Sequence, residues 1–192
     1  MKAYNFIKGI SGYSEKRIKN GLKNKMMEYF HIDEEVTSDC GRGRIDLIMV
    51  HKSDIDFKYP FGIEIKKIGN KKGCEIGRWF KQIIRYQEYT FGSHGKIIPF
   101  VFPQMSFFYF EEGNFVSKHD VFRHDYLGCH HNFSTFLGAN GIGELQVYDY
   151  RGEKYYRLVY SSKKLWDSRS DELNVKELDF YFQKRGRCIE SL

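Results

Sequence analysis

Apolar residues recur at helical spacing near the start of the chain. Ile18, Leu22, Met26 and Tyr29 fall on one stripe, while Arg17, Gly21, Asn24 and Glu28 fall on the other side. Ser14 stands where an N-cap belongs, so the pattern predicts a helix over about 15–30. A turn rich in Gly and Arg follows, and residues 45–50 then read as a strand from their β-branched and apolar content. Residues 61–66 alternate cleanly and predict a second strand. Residues 75–91 predict a helix, with Ile76, Trp79, Phe80 and Ile83 as its apolar positions, and 96–103 predict another strand. Residues 32–37 leave room for one further strand. In the second half, 105–110 reads as a strand, 136–143 as a Gly-rich turn region, and 143–150 with 154–160 as a hairpin around Arg151-Gly152. Residues 171–185 read as a closing helix. Helices alternating with strands predict an α/β fold: a core over 1–103 and a β-rich C-terminal elaboration over 104–192, packed together.

Composition narrows the class. With 41% hydrophobic residues, the chain has enough apolar content to fold. No apolar run approaches the roughly 18 residues needed to span a bilayer, and the first residues lack the apolar core of a signal peptide. The four cysteines (Cys40, Cys74, Cys129 and Cys188) are far apart and form no CxxC pair, so they read as reduced thiols of a cytoplasmic or nucleoid-associated protein. The net charge of +6 is unevenly placed: residues 1–96 hold 19 Lys+Arg against 12 Asp+Glu, and residues 97–192 hold 12 against 13. A basic excess confined to one half suits a polyanionic partner there, or a lysine-rich solvated surface.

Four pieces in the basic half carry chemistry. On the strand at 61–66, Glu64 and Lys66 share one face and Ile63 and Ile65 the other, since successive side chains point to opposite sides. A carboxylate and an ammonium side by side on a core strand need a partner or a task. Asp46 is the single charged residue within 45–50. The polar connection between the two strands lets Asp46 come beside Glu64, and two converging carboxylates make a hard-oxygen site of the kind Mg²⁺ prefers. The bland alternative for Asp46 is a turn cap or a pair with Arg44. Gln82 and Tyr86 stand four apart and so share a helix face, flanked by Trp79 and Tyr89, with Arg78, Lys81 and Arg85 turned elsewhere. Glu15 shares the stripe of Ile18, Leu22 and Met26. A first-turn Glu is also what the helix dipole favours.

In this order the elements resemble the PD-(D/E)XK nuclease superfamily. The matching residues are Asp46, then Glu64-Ile65-Lys66, then Gln82 and Tyr86, within roughly residues 14–103. Ile45 stands where the family often has Pro. The Gln/Tyr pair resembles the branch containing helicase-linked exonucleases and some viral nucleases, and Glu15 upstream of Asp46 resembles archaeal Holliday-junction resolvases. The resemblance implies a restriction-endonuclease-like αβββαβ core and a metal-dependent deoxyribonuclease. Asp46, Glu64 and the backbone carbonyl of Ile65 would hold Mg²⁺, with Mn²⁺ able to substitute, and Glu15 would support the metal through water. Lys66 would position the attacking water. Gln82 and Tyr86 would orient the site or contact the phosphate. Cleavage would leave a 5′-phosphate and a 3′-hydroxyl. The partner implied is DNA, with no membrane, and a homodimer is compatible with the family.

Other signals were weighed. His119, His124, Cys129, His130 and His131 cluster in one segment, but their spacing matches no zinc finger, so they read as polar loop residues with zinc as the alternative. Gly138, Gly141 and Gly143 lack the Lys-Ser/Thr ending of a phosphate loop and read as a turn. The aromatics Phe107 to Phe110, Tyr148, Tyr150, Tyr155 and Tyr156 read as core more than as base-stacking platforms. Two functions compete with the nuclease: a nucleic-acid-binding module on the same fold with little or no catalysis, and an interaction protein whose basic face is incidental.

Overall fold

A computed structural model describes residues 13–56, 58–66, 73–102, 137–150, 153–161 and 163–189. It is an α/β protein. Helix α1 spans Glu15–Met26. Strands β1 (Phe30–Thr37), β2 (Arg44–His51) and β3 (Phe61–Ile65) follow, then helix α2 (Gly73–Arg85) and strand β4 (Ile98–Phe102). Strands β5 (Gly143–Tyr150), β6 (Glu153–Tyr160) and β7 (Lys163–Asp167) lead to helix α3 (Val175–Ile189). The expected strand at 105–110 and the His/Cys cluster at 119–131 lie outside the described residues.

The seven strands form one mixed sheet in sequential order, β1 to β7. β1, β2 and β3 pair antiparallel, whereas β3–β4 and β4–β5 pair parallel. The β5–β6–β7 hairpins complete the sheet antiparallel. The parallel β3–β4 step needs a crossover, and α2 supplies it.

Two apolar layers fix the faces. On one side α1 and α3 pack their stripes, Ile18, Leu22 and Met26 with Leu178 and Tyr181, onto Leu47, Phe61, Ile63, Phe100, Leu145, Leu158 and Trp166. On the other side Tyr86, Phe91 and Ile97 pack onto Ile45 and Ile48. Ser14 caps α1 as expected, its Oγ accepting from the Arg17 N–H at 3.2 Å. The helix ends at Met26, earlier than its pattern predicts, because Phe30 must already pair with His51 at the start of β1. α2 likewise stops at Arg85, and residues 86–91 turn back through Tyr86 and Phe91, both buried. Among the described residues, no helix is long and apolar enough to cross a membrane.

Gly143 begins β5 against Phe100 of β4. A Cβ there would lie 2.2 Å from a carbon of the Phe100 ring. A buried aromatic ring has little room to retreat, so Gly143→Ala is expected to lower stability by about 1–3 kcal/mol. Urea unfolding followed by tryptophan fluorescence will read it, because Trp166 is fully buried in the same layer.

Candidate active site

The ladder between β2 and β3 runs from Met49↔Phe61 to Leu47↔Ile63 and stops there. Past that point β2 leaves β3, and Asp46 and Glu64 stand at the opening. The Asp46 Oδ2 accepts the Ile65 N–H at 2.7 Å, so its carboxylate is tied to the peptide that joins Glu64 to Ile65. Among the described residues Asp46 Oδ1 receives no hydrogen bond. Asp46 does not pair with Arg44, whose Nε bonds Glu35 instead at 3.0 Å.

Glu64 is 3% exposed, yet it is a carboxylate. Three donors converge on it. Lys66 Nζ lies 2.5 Å and Gln82 Nε2 2.9 Å from its Oε1, and the Tyr86 hydroxyl lies 3.1 Å from its Oε2. Gln82 is placed by α2. Tyr86 is the first residue beyond that helix, so the Gln82–Tyr86 pair straddles the helix end while still sharing a face. Gln82 uses its second N–H on the Tyr86 oxygen at 2.5 Å, and the single Tyr86 proton lies between two acceptors, the Arg44 carbonyl at 2.7 Å and Glu64 Oε2 at 3.1 Å. One phenol therefore links β2, β3 and α2. Tyr86→Phe is expected to cost about 1–3 kcal/mol, because it strands the Arg44 carbonyl and a Gln82 N–H in a buried setting; thermal denaturation checks it.

The electrostatics follow from this crowding. Burial, with the Asp46 charge adding to it, raises Glu64 to about 7 against the pull of Lys66 and of the Tyr86 hydrogen bond. Burial also raises Asp46, opposed by the Ile65 N–H and by Lys66 and reinforced by Glu35. Burial and the Glu64 charge raise the Tyr86 phenol, which stays protonated as a donor. Lys66 thus serves two carboxylates with one charge. Its ammonium also sits 5.7 Å from the centre of the Trp79 ring, within cation–π range.

The remaining expected residues fall as follows. Glu15 is exposed, not turned inward with Ile18, Leu22 and Met26, but it lines a pocket of about 430 Å³ whose wall includes Asp46. The phase argument placed Glu15 inward because it sits one turn before Ile18; as the first residue of α1 it lies beyond the end of the buried stripe. Arg78, Lys81 and Arg85 are exposed on α2. Tyr89 is half-buried against Tyr86. Tyr156 is core and Tyr155 is half-buried. Gly141 takes a left-handed turn, φ +72°, before β5. Cys40 has a free thiol.

Four neighbours have no signal in the order of residues. The Arg44 carbonyl is a backbone partner. Glu35 and Lys19 meet only through the packing of α1 on β1. Glu144 also stands on the same sheet face as Glu64, in register through Val101, and buries itself beside Gln146 of β5 at 3.1 Å.

The donor chemistry fits a hard divalent cation. Two carboxylates flank one peptide, Lys66 acts on both, and burial, with the Asp46 charge adding to it, is what drives Glu64 upward. Among the described residues, no group of three or more His, Cys, Asp or Glu is placed to cage an ion. A cation held by Asp46 and Glu64 would therefore complete its shell with a main-chain carbonyl, water and substrate oxygens. That is the habit of Mg²⁺ and not of structural zinc.

In comparisons with known proteins, no protein family, no curated protein and no solved structure matched this chain.

Proposed function

We propose that this protein is a Mg²⁺-dependent deoxyribonuclease of the PD-(D/E)XK type. The observation that carries the reading is the Glu64 node: a buried carboxylate beside Asp46, gripped by Lys66 from its own strand and by Gln82 and Tyr86 from the α2 end. A cation and two neutral donors at one buried carboxylate is costly as mere structure and useful as a site. The element order α1-β1-β2-β3-α2-β4, with three antiparallel strands and a parallel fourth, supports the restriction-endonuclease-like core.

In this reading Asp46, Glu64 and the Ile65 carbonyl would hold Mg²⁺, which when bound would supply charge neutralisation at the scissile phosphate. Gln82 and Tyr86 hold the Glu64 carboxylate in one orientation. Lys66, leaving Glu64, orients the attacking water and offsets charge growing on the phosphoryl oxygens. The water would add to phosphorus in line as it gives a proton to solvent, the bond from phosphorus to the 3′-oxygen would break, and that oxygen would take a proton from solvent, leaving a 5′-phosphate and a 3′-hydroxyl. The exposed cations of α2 lie ready for a phosphate backbone.

A panel of supercoiled, linear and branched DNA, each with Mg²⁺ or with chelator, tests this. Cleavage of at least one form, with Mg²⁺ only, is the expected result. Salt-sensitive binding without cleavage in Mg²⁺ or Mn²⁺ would replace the nuclease with a binding module.

A further inference from the structure

The pocket beside Asp46 has a feature that its catalytic neighbours do not explain. Its cations are Lys16 and Lys19 of α1 and Arg44 of β2. Its carboxylates are Glu15, Glu34, Glu35 and Asp46. Glu35 sits between two of the cations. Its Oε1 takes Lys19 Nζ, and its Oε2 takes Arg44 Nε at 3.0 Å. Lys19 is held closely for a lysine, with its side chain 13% exposed.

The backbone is bent to make this contact. Glu35 has φ +53°, a left-handed conformation uncommon in residues other than Gly, Asn and Asp. The β1–β2 register runs Glu34↔Leu47 and then Val36↔Ile45, and the step between them, Glu35 opposite Asp46, is missing. A carboxylate bridging a lysine and an arginine, one strand away from Asp46, occupies the place of an anionic group. Phosphate accepts from the same donors with the same forked geometry.

We propose that Lys19 and Arg44 form a clamp for a backbone phosphate of the substrate strand next to Asp46, and that Glu35 fills the clamp in the free protein as a competitor that the phosphate must displace. The proposal rests on the nuclease reading and adds a control to it. With four carboxylates against three cations, the empty pocket repels a polyanion. Entry is favoured once a divalent cation offsets Asp46, so DNA is admitted together with metal. Removing the Glu35 charge leaves three cations against three carboxylates and frees both clamp residues.

The test is equilibrium binding of a labelled DNA duplex to the full chain by fluorescence anisotropy, in chelator and in Ca²⁺, at two salt concentrations. The variants are Glu35→Gln, Glu35→Gly, Arg44→Ala and Glu35→Gln combined with Arg44→Ala. Glycine adopts the observed φ readily, so Glu35→Gly removes the charge without stressing the turn. Both Glu35 variants are expected to bind about three- to tenfold tighter than wild type in chelator at low salt, with the gain shrinking in Ca²⁺ and at high salt. Arg44→Ala is expected to weaken binding, to reduce the salt slope by about one and to cancel the gain of Glu35→Gln. Unchanged or weaker binding by both Glu35 variants would overturn the clamp, even with metal-dependent cleavage intact. No DNA binding by any form at low salt would overturn the nuclease reading beneath it as well.

Discussion

In the proposed nuclease, Lys66→Ala is expected to lower Mg²⁺-dependent DNA cleavage by about 10³-fold, the scale of losing a group that orients or deprotonates the nucleophile. The reason lies in its position. Lys66 acts on both Asp46 and Glu64, and it stands 2.5 Å from Glu64 Oε1. Without it, a cation held by the two carboxylates is bound as well or better, because the competing charge has gone. The expected signature is therefore split: Mn²⁺ affinity, read by calorimetry, is kept or raised while turnover collapses. Lys66→Arg retains charge but brings a wider, always-protonated fork, and it should restore little. Equal loss of metal binding and turnover in Lys66→Ala would assign this lysine to holding the fold of the site and not to the reaction.

The second large effect concerns stability and pH. Folding raises Glu64 from its ordinary 4.5 to about 7. Between those values the folded protein keeps a proton that the unfolded chain has released. Stability without metal must then fall as pH rises through this window and level off above it, with a span of about 3 kcal/mol. Asp46, raised in the same direction, adds a shallower fall that begins at lower pH. Glu64→Gln keeps an acceptor for Lys66 and Gln82 but removes the titration. It is expected to flatten the slope and, above pH 7, to make the metal-free protein more stable than wild type by up to about 3 kcal/mol. Added Mg²⁺ should raise the melting temperature of wild type and leave Glu64→Gln nearly unmoved. Urea denaturation at a series of pH values, with chelator and with Mg²⁺, reads all of this. An unchanged slope in Glu64→Gln would mean that Glu64 is already charged and satisfied in the folded state.

Such a gain in stability on removing a group is the mark of a site kept for use. Glu64 is buried between strands of a sheet whose core is otherwise mostly apolar. The chain commits Lys66, Gln82 and Tyr86 to holding it.

Much of the core was legible, and the reasons are particular. Helix α1 shows in the spacing of Ile18, Leu22 and Met26, and β2 shows because residues 45–50 are apolar on both faces except at Asp46. The alternation at 61–66 correctly set Glu64 beside Lys66. The strand at 32–37 was faint because β1 is an edge strand with Asp33, Glu34 and Glu35 exposed, so half its pattern is polar. Helix ends were overrun where the apolar pattern continues past the last turn. Met27 to Tyr29 and Tyr86 to Tyr89 fit a helix by periodicity but are diverted by the pairing of Phe30 and by the Tyr86 hydroxyl reaching β2. Strand β7 was missed because 163–167 is short and opens with two lysines.

Within the site, residue types on one strand or one helix face were readable. Contacts that depend on tertiary packing were not. Nothing in the order of residues says that Glu35 adopts φ +53° and reaches Lys19 across a strand and a helix. Nor does it say that Glu144 is buried in line with Glu64 two strands away. The hairpin alternation from 143 to 160 located β5 and β6. It could not reveal that β5 joins β4 in parallel and so continues the same sheet.

On the proposed reading, Asp46, Glu64 and Lys66 form one metal-dependent phosphodiesterase centre. End-mapped cleavage of a labelled DNA duplex, by wild type and by Asp46→Asn, in Mg²⁺ and in chelator, tests it most directly. The account predicts 5′-phosphate and 3′-hydroxyl products from wild type in Mg²⁺, and none from wild type in chelator or from folded Asp46→Asn in either condition. Cleavage that persists in chelator, or that survives Asp46→Asn undiminished, would contradict it.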